Sequence, residues 1–168
     1  MRKAMLTALL LAFSVLSSGE EYAEVPYNVQ APLLAKTLDF ATSLGNEITI
    51  FVLDSDDFAA AIGEAVGRPV GEKKIASVTS GKELPQSRPD VLYVGNAKMM
   101  ESVIPYARDN KVLTVTGHPD LVKEGIALGF GVSKEENKPK ILLNRNASKD
   151  QSIQWNAAIF KIAVTCEE

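Results

Sequence analysis

KVLTVTGHPDLVKEG, residues 111–125, reads as a strand, a sharp turn and a short helix. Val112, Leu113 and Val115 form an apolar run with no charge after Lys111. That is the pattern of a strand buried on both faces. Thr116-Gly117-His118-Pro119 ends it: glycine permits positive φ, and proline pre-sets φ for a helix start. Strands buried on both faces belong to parallel sheets covered by helices, whose ligand sites lie at such strand-to-helix turns.

The same pattern recurs outward along the chain. Glu47–Leu53 (EITIFVL) is a strong strand, Lys73–Val78 a weaker one, and Asp90–Val94 (DVLYV), closed by Gly95-Asn96, a third. Asp54-Ser55-Asp56 caps a helix running to about Val66, with Phe58, Ala61, Ile62 and Ala65 inward. Upstream, Ala31, Leu34, Leu38 and Ala41 share one face of a helix spanning Ala31–Leu44, with Pro32 near its start and Gly45-Asn46 as its stop. Thr79–Pro89 reads as a loop or short helix. Ala97–Arg108 reads as a helix with Met100, Val103, Ile104 and Ala107 on one side and a kink at Pro105.

After Gly125 the pattern changes. Ile126–Val132 and Lys140–Leu143 are apolar runs joined by a charged tip, the signature of a hairpin. Asn146 or Ser148 caps a last helix whose stripe is Trp155, Ala158, Ile159, Ile162 and Ala163. Strands alternating with helices give an α/β fold with three layers. The sheet is mostly parallel, helices cover both faces, and the antiparallel hairpin lies at one edge.

Residues 1–19 read as a secretory signal. Arg2 and Lys3 are the basic start, Ala4–Leu16 the apolar run, and Ser17-Ser18-Gly19 the small residues before cleavage. The run is shorter than the roughly 20 residues a spanning helix needs, and Glu20-Glu21 follows at once. The expected mature chain is therefore periplasmic and not membrane-embedded, with residues 20–168 as one domain. The formal charge of the whole chain is −3, and losing Arg2 and Lys3 makes the mature chain more acidic still. That argues against nucleic acid and anionic membranes as partners. Cys166 is the only cysteine, so no internal disulfide forms. It could join two chains as a homodimer, but an inert terminal thiol is the simpler reading.

Candidate chemistry is sparse. Asp54, Asp56 and Asp57 follow a strand where magnesium could bind, yet a helix start uses carboxylates in the same places. His118, the only histidine, sits where a general base would, without a Ser or Cys nucleophile motif. Thr79-Ser80-Gly81-Lys82 lacks phosphate-loop spacing. Gly125, Gly129 and Gly131 lack dinucleotide spacing and read as marks of close packing. Asn144-Arg145-Asn146 could hold an anion or simply cap a helix. The best ligand-binding candidates are Thr116, Gly117, His118, Asn144 and Arg145. No cofactor or metal is expected.

Several stretches together resemble the YfiR-like periplasmic regulators, inhibitors of a membrane diguanylate cyclase. They are QAPLLAKTLDFATSL (30–44), ITIFVL (48–53), DVLYVGNA (90–97), VLTVTGHPDLVKEGIALGF (112–130) and ILLNRNASKDQSIQWNAAIFKIA (141–163). The cysteine pairs of some members are absent, so the resemblance does not carry disulfide redox sensing. Gly117-His118-Pro119 stands in place of the usual acidic turn. The resemblance implies a non-enzymatic domain that binds a membrane signalling protein, cyclase or kinase, under control of a small ligand. Two other classes stay open. A solute-binding module of a transporter or sensor kinase would need a deep polar pocket, and a hydrolase would need convergent titratable groups in one cleft.

Overall fold

A computed structural model of the chain describes residues 21–166. The leader reading of residues 1–19 lies outside them. The strands are β1 (Tyr22–Ala23), β2 (Glu47–Leu53), β3 (Pro69–Val70), β4 (Lys73–Gly81), β5 (Val91–Val94), β6 (Leu113–Thr116), β7 (Leu128–Ser133), β8 (Pro139–Asn144) and β9 (Ala163–Cys166). All lie in one sheet of order β3-β4-β2-β5-β6-β7-β8-β9, with β1 paired to β7 off this path. Pairings among β4, β2, β5, β6 and β7 are parallel, as is β8 with β9, while β7 with β8 is antiparallel. The hairpin thus lies toward one edge, with β9 added outside it.

Five helices pack around this sheet: α1 (Tyr27–Leu38), α2 (Asp56–Gly63), α3 (Met100–Asn110), α4 (Pro119–Lys123) and α5 (Arg145–Asp150). β5 and β6 are buried at every position, as their uncharged runs require. Two apolar cores result. One joins Leu34, Leu38, Phe58 and Ile62 of α1 and α2 to Ile50, Tyr93, Leu128 and Phe130. The other joins Val103, Ala107 and Leu121 of α3 and α4 to Leu53, Leu92 and Val94. Separate cores on opposite faces are what an α/β layer architecture demands. Truncating a residue as buried as Phe58 costs about 3–5 kcal/mol.

Polar groups fix the register. The Asp90 carboxylate accepts from the backbone and hydroxyl of Thr49, both at 2.9 Å, and so ties the start of β5 to β2. The Arg88 guanidinium donates to the carbonyls of Asn110 and Lys111, satisfying the C-terminal end of α3. Gly129 and Gly131 act as packing glycines: a Cβ at 129 would collide with Val122, and one at 131 would stand 2.7 Å from the Tyr22 Cβ. Their bareness lets α4 and β1 approach the sheet.

Three local expectations are corrected. α1 starts at Tyr27, behind Pro26, so Pro32 lies inside it and removes one helical donor. It ends at Leu38, and turns carry the chain to Leu44. Thr79–Gly81 extends β4 rather than forming a loop. The expected last helix through Trp155 and Ala163 is not there. α5 stops at Asp150, Ala157–Lys161 forms a single 3-10 turn capped by Asn156, and β9 follows. Trp155 instead bridges to Ala41. The β-branched pair Val164-Thr165 prefers the pleated ladder beside β8 to another helical turn.

Candidate functional site

The connection leaving β2 leads to β4 on one side, whereas the connection leaving β5 leads to β6 on the other. The chain therefore changes direction between β2 and β5, and ligands in open α/β sheets bind at the strand ends beside such a switch. Three loops meet there: Asp54-Ser55 after β2, Gly95-Asn96 after β5, and Gly117-His118 after β6. Asp54 has φ of 55° and accepts from the Asn96 amide at 2.8 Å. A Cβ at Gly95 would stand 2.6 Å from the Ser55 Cβ, so the first two loops are in contact, and space opens on the side toward β6.

The open side is a cleft of about 740 Å³ lined by Tyr22, Glu24, Gly95, Asn96, His118, Asp120, Glu124 and Lys134. β1 crosses it as an arm. Glu21 pairs with Lys134 at 2.7 Å, and Glu24 pairs with the His118 Nδ1 at 2.6 Å. Lys134 holds the Glu21 carboxyl below its ordinary range by hydrogen bond and charge. The other imidazole nitrogen, Nε2, lies 3.0 Å from the Gly95 carbonyl. Both ring nitrogens of His118 thus face acceptors, and only the doubly protonated ring donates to both.

Beneath the cleft lies a buried polar chain. Gln30 of α1 donates to the Val25 carbonyl and accepts from the Tyr93 hydroxyl at 2.8 Å. Tyr93 stacks on Phe58, with ring centroids 3.6 Å apart. Burial, with the Tyr27 and Glu24 charges adding to it, drives the Tyr93 phenol well above its usual range. Gly117 is required here because any Cβ would collide with the Gln30 amide. The Thr116 hydroxyl is fully engaged, donating to the Val94 carbonyl at 2.9 Å and accepting from the His118 N–H at 3.1 Å.

Asn144 and Arg145 line other depressions. Asn144 is buried: its amide donates to the Val122 carbonyl at 2.7 Å and its oxygen accepts from the Ala147 N–H at 2.9 Å, capping α5. The exposed Arg145 lies 5.4 Å from the Phe160 ring centre, beside Lys149 and Trp155 in a depression of about 330 Å³. The structure thus joins Thr116, Gly117 and His118 with one another, but not with Asn144 and Arg145. Glu24, Gln30 and Tyr93 complete the first group and carry no motif. Their one sequence signal is a glutamine inside the apolar stripe of a helix.

The model of the YfiR/HmsC-like family matches residues 28–164, nearly all of the described chain. The chain belongs to this family. A search of the curated proteins found no match. Among solved structures, this YfiR/HmsC-like fold is similar to a conserved domain protein from Vibrio cholerae. The two share 13% identity over 84% of this chain and 60% of that one, with a TM-score of 0.56. It is also similar to an ABC domain solved in complex with L-Trp from Streptococcus pneumoniae, again at 13% identity, over 83% and 60% of the two chains, with a TM-score of 0.52. The chain thus spans about 60% of the length of these structures, and at such identity the likeness shows the fold alone. No helix among the described residues is long and apolar enough to cross a membrane.

Proposed function

We propose that this chain is an exported, non-enzymatic regulator that binds a membrane signalling protein, a diguanylate cyclase before other candidates. In this reading residues 1–19 direct export to the periplasm and are removed, and residues 20–168 act as one domain. The observation that carries it is the family match over residues 28–164. The cleft at His118 is where a small ligand would bias the domain between binding and release. It is the depression beside the sheet's switch point, and the β1 arm that crosses it, paired to β7 over two residues, adds the side-chain contacts Glu21–Lys134 and Glu24–His118 at the cleft's rim. Arg145, exposed beside Phe160, marks a second, weaker candidate for ligand contact, with Asn144 holding the start of its helix.

The test is reconstitution. The mature chain, purified from the periplasmic fraction, is mixed with a detergent-solubilised diguanylate cyclase encoded in the same genome, and cyclic di-GMP synthesis is measured. Inhibition that saturates with the mature chain supports the reading. Unchanged synthesis with no complex on gel filtration overturns it. Tight binding of a solute without any effect on the cyclase would instead make the chain a solute-binding module.

A further inference from the structure

Three elements meet at one imidazole. The His118 Nδ1 lies 2.6 Å from the carboxylate of Glu24, which follows β1, and Nε2 lies 3.0 Å from the Gly95 carbonyl in the loop after β5. The ring therefore bridges the mouth of the cleft between the arm and that loop. Its supports are fixed on one side. Gly95 donates to the Leu53 carbonyl at 2.9 Å and packs on Ser55, and the Thr116 hydroxyl holds the His118 N–H. The parts free to turn are the imidazole itself, 34% exposed, and the Glu24 side chain, 65% exposed.

The arm has other ties that do not depend on this ring. The Val25 carbonyl accepts from the Gln30 amide, whose oxygen accepts from the buried Tyr93 hydroxyl, and Tyr22 and Ala23 pair with β7. Glu24 is thus held by a titratable group and Val25, the next residue, by a neutral one. The other charged groups at the cleft are Asp120 of α4, Glu124 after it, Lys134 with its partner Glu21, and Asp54, bonded to Asn96. The phenols are those of Tyr22 at the rim and Tyr93 beneath, the latter kept protonated by burial. Among these residue types only histidine ordinarily changes charge between about pH 5 and 8.

A carbonyl and an ionised carboxylate accept and cannot donate, so a neutral ring with one N–H must lose one of its two contacts. The carboxylate is the stronger acceptor and keeps the remaining proton. The Nε2 lone pair then faces the Gly95 oxygen, and the ring turns away from it.

We propose that His118 is a proton-operated clasp. As the imidazolium it ties Glu24 of the arm to the loop after β5, and as the neutral ring it keeps Glu24 and releases Gly95, so the mouth of the cleft opens as pH rises. The arm stays on β7 and on Gln30 in both states. The clasp therefore changes access to the cleft and not the fold. In an exported domain such a device reads the pH outside the cytoplasm. What it gates rests on the reading of the cleft as a ligand site, whereas the clasp itself is tested on the chain alone.

The experiment follows the purified mature chain by NMR from about pH 5 to about pH 8. Ring nitrogen shifts report which nitrogen carries the proton. Amide exchange at residues 23–25 and 95–96, corrected for its intrinsic pH dependence, reports opening. Expected are a neutral ring protonated at Nδ1 and exchange faster by roughly twofold to fivefold on the alkaline side, the range an exposed ion pair supports. His118→Gln should show the faster exchange at every pH. Should His118→Gln fail to fold by circular dichroism, Glu24→Gln serves in its place. Without the carboxylate, its neutral ring should carry the proton at Nε2 and keep Gly95, so exchange at 95–96 no longer rises with pH. A wild-type neutral ring protonated at Nε2, or wild-type exchange that does not change with pH, overturns the clasp. So does a pH dependence that survives in His118→Gln, which would belong to another group such as the α-amino end of the mature chain. In Glu24→Gln, a neutral ring still protonated at Nδ1 overturns it as well. Each of these outcomes leaves the regulator reading to its own test with the cyclase.

Discussion

The side chain of Gln151 takes the place of a strand next to Thr114. Its carbonyl oxygen accepts from the Thr114 N–H at 2.9 Å and from the Thr114 hydroxyl at 3.0 Å. β6 and β7 pair only at Val115–Leu128 and Thr116–Gly129, so the N–H of Thr114 finds no β7 carbonyl. The Thr114 hydroxyl in turn accepts from the Ala127 N–H at 2.9 Å. One side-chain amide thus fills the gap where the two strands diverge.

Gln151→Leu should therefore cost about 1–3 kcal/mol, the penalty of leaving a buried donor unpaired. Urea unfolding of the mature chain measures it. Thr114→Val added to Gln151→Leu should lose less than the sum of the two single changes, because the groups are coupled. A purely additive double variant would show that Gln151 packs without bonding.

Ile159 and Lys161 sit two residues apart in one 3-10 turn but in different surroundings. Ile159 is wholly buried, so Ile159→Ala should cost about 2–5 kcal/mol. Lys161 is exposed, and Lys161→Ala should stay within about 0.5 kcal/mol of wild type. Equal, small effects from both would mean that the turn is not docked.

Tyr93 should make stability fall at high pH. Its folded-state value is raised above the unfolded value of 10.0, chiefly by burial. The neutral phenol's contribution is therefore fully present below pH 10 and is lost as pH rises toward the folded value. The slope should be about 1.4 kcal/mol per pH unit for one proton. Tyr93→Phe, lacking the hydroxyl bonded to Gln30, should be less stable by about 1 kcal/mol near neutral pH yet show a flatter decline above pH 10. Urea midpoints for both proteins across that range give the comparison.

Removing the imidazole at 118 should loosen the arm, which stays paired to β7, without unfolding the domain. The Glu24 side chain is 65% exposed, so the pair contributes at most about 1 kcal/mol. His118→Ala should keep the wild-type circular dichroism spectrum and speed amide exchange at Tyr22–Val25. A broad substrate screen should find no turnover that this change abolishes. An activity lost with His118 in a folded variant would make the chain an enzyme.

Where the sequence was legible, the reason is local. β2, β5 and β6 announce themselves through uncharged runs, and the β7–β8 hairpin through its charged tip, because burial on one or both faces writes a period into neighbouring residues. The end of the chain misleads because Trp155, Ile159 and Ala163 keep helical spacing while belonging to a bridge, a 3-10 turn and a strand in turn. Thr116, Gly117 and His118 were readable as a turn after a strand. Their partners were not: Glu24 lies 94 residues from His118, and Gln30 lies 63 from Tyr93. No short-range pattern records a pairing that only the folded sheet creates.

The lateness of β9 bears on the order in which the molecule folds. β9 supplies a sheet strand, Gln151 fills the β6–β7 gap, and Trp155 bridges back to Ala41, so the final stretch of the chain is built into its interior. A nascent chain that has released only residues 1–116 holds β2, β4, β5 and β6 but lacks β7, β8 and β9, which complete the sheet beside them. The sheet is therefore complete only when its last strand is present, and under the export reading proposed above the growing chain would still be open when it meets the membrane. A chain cut short before Cys166 would be left open, with apolar strands for proteases to find.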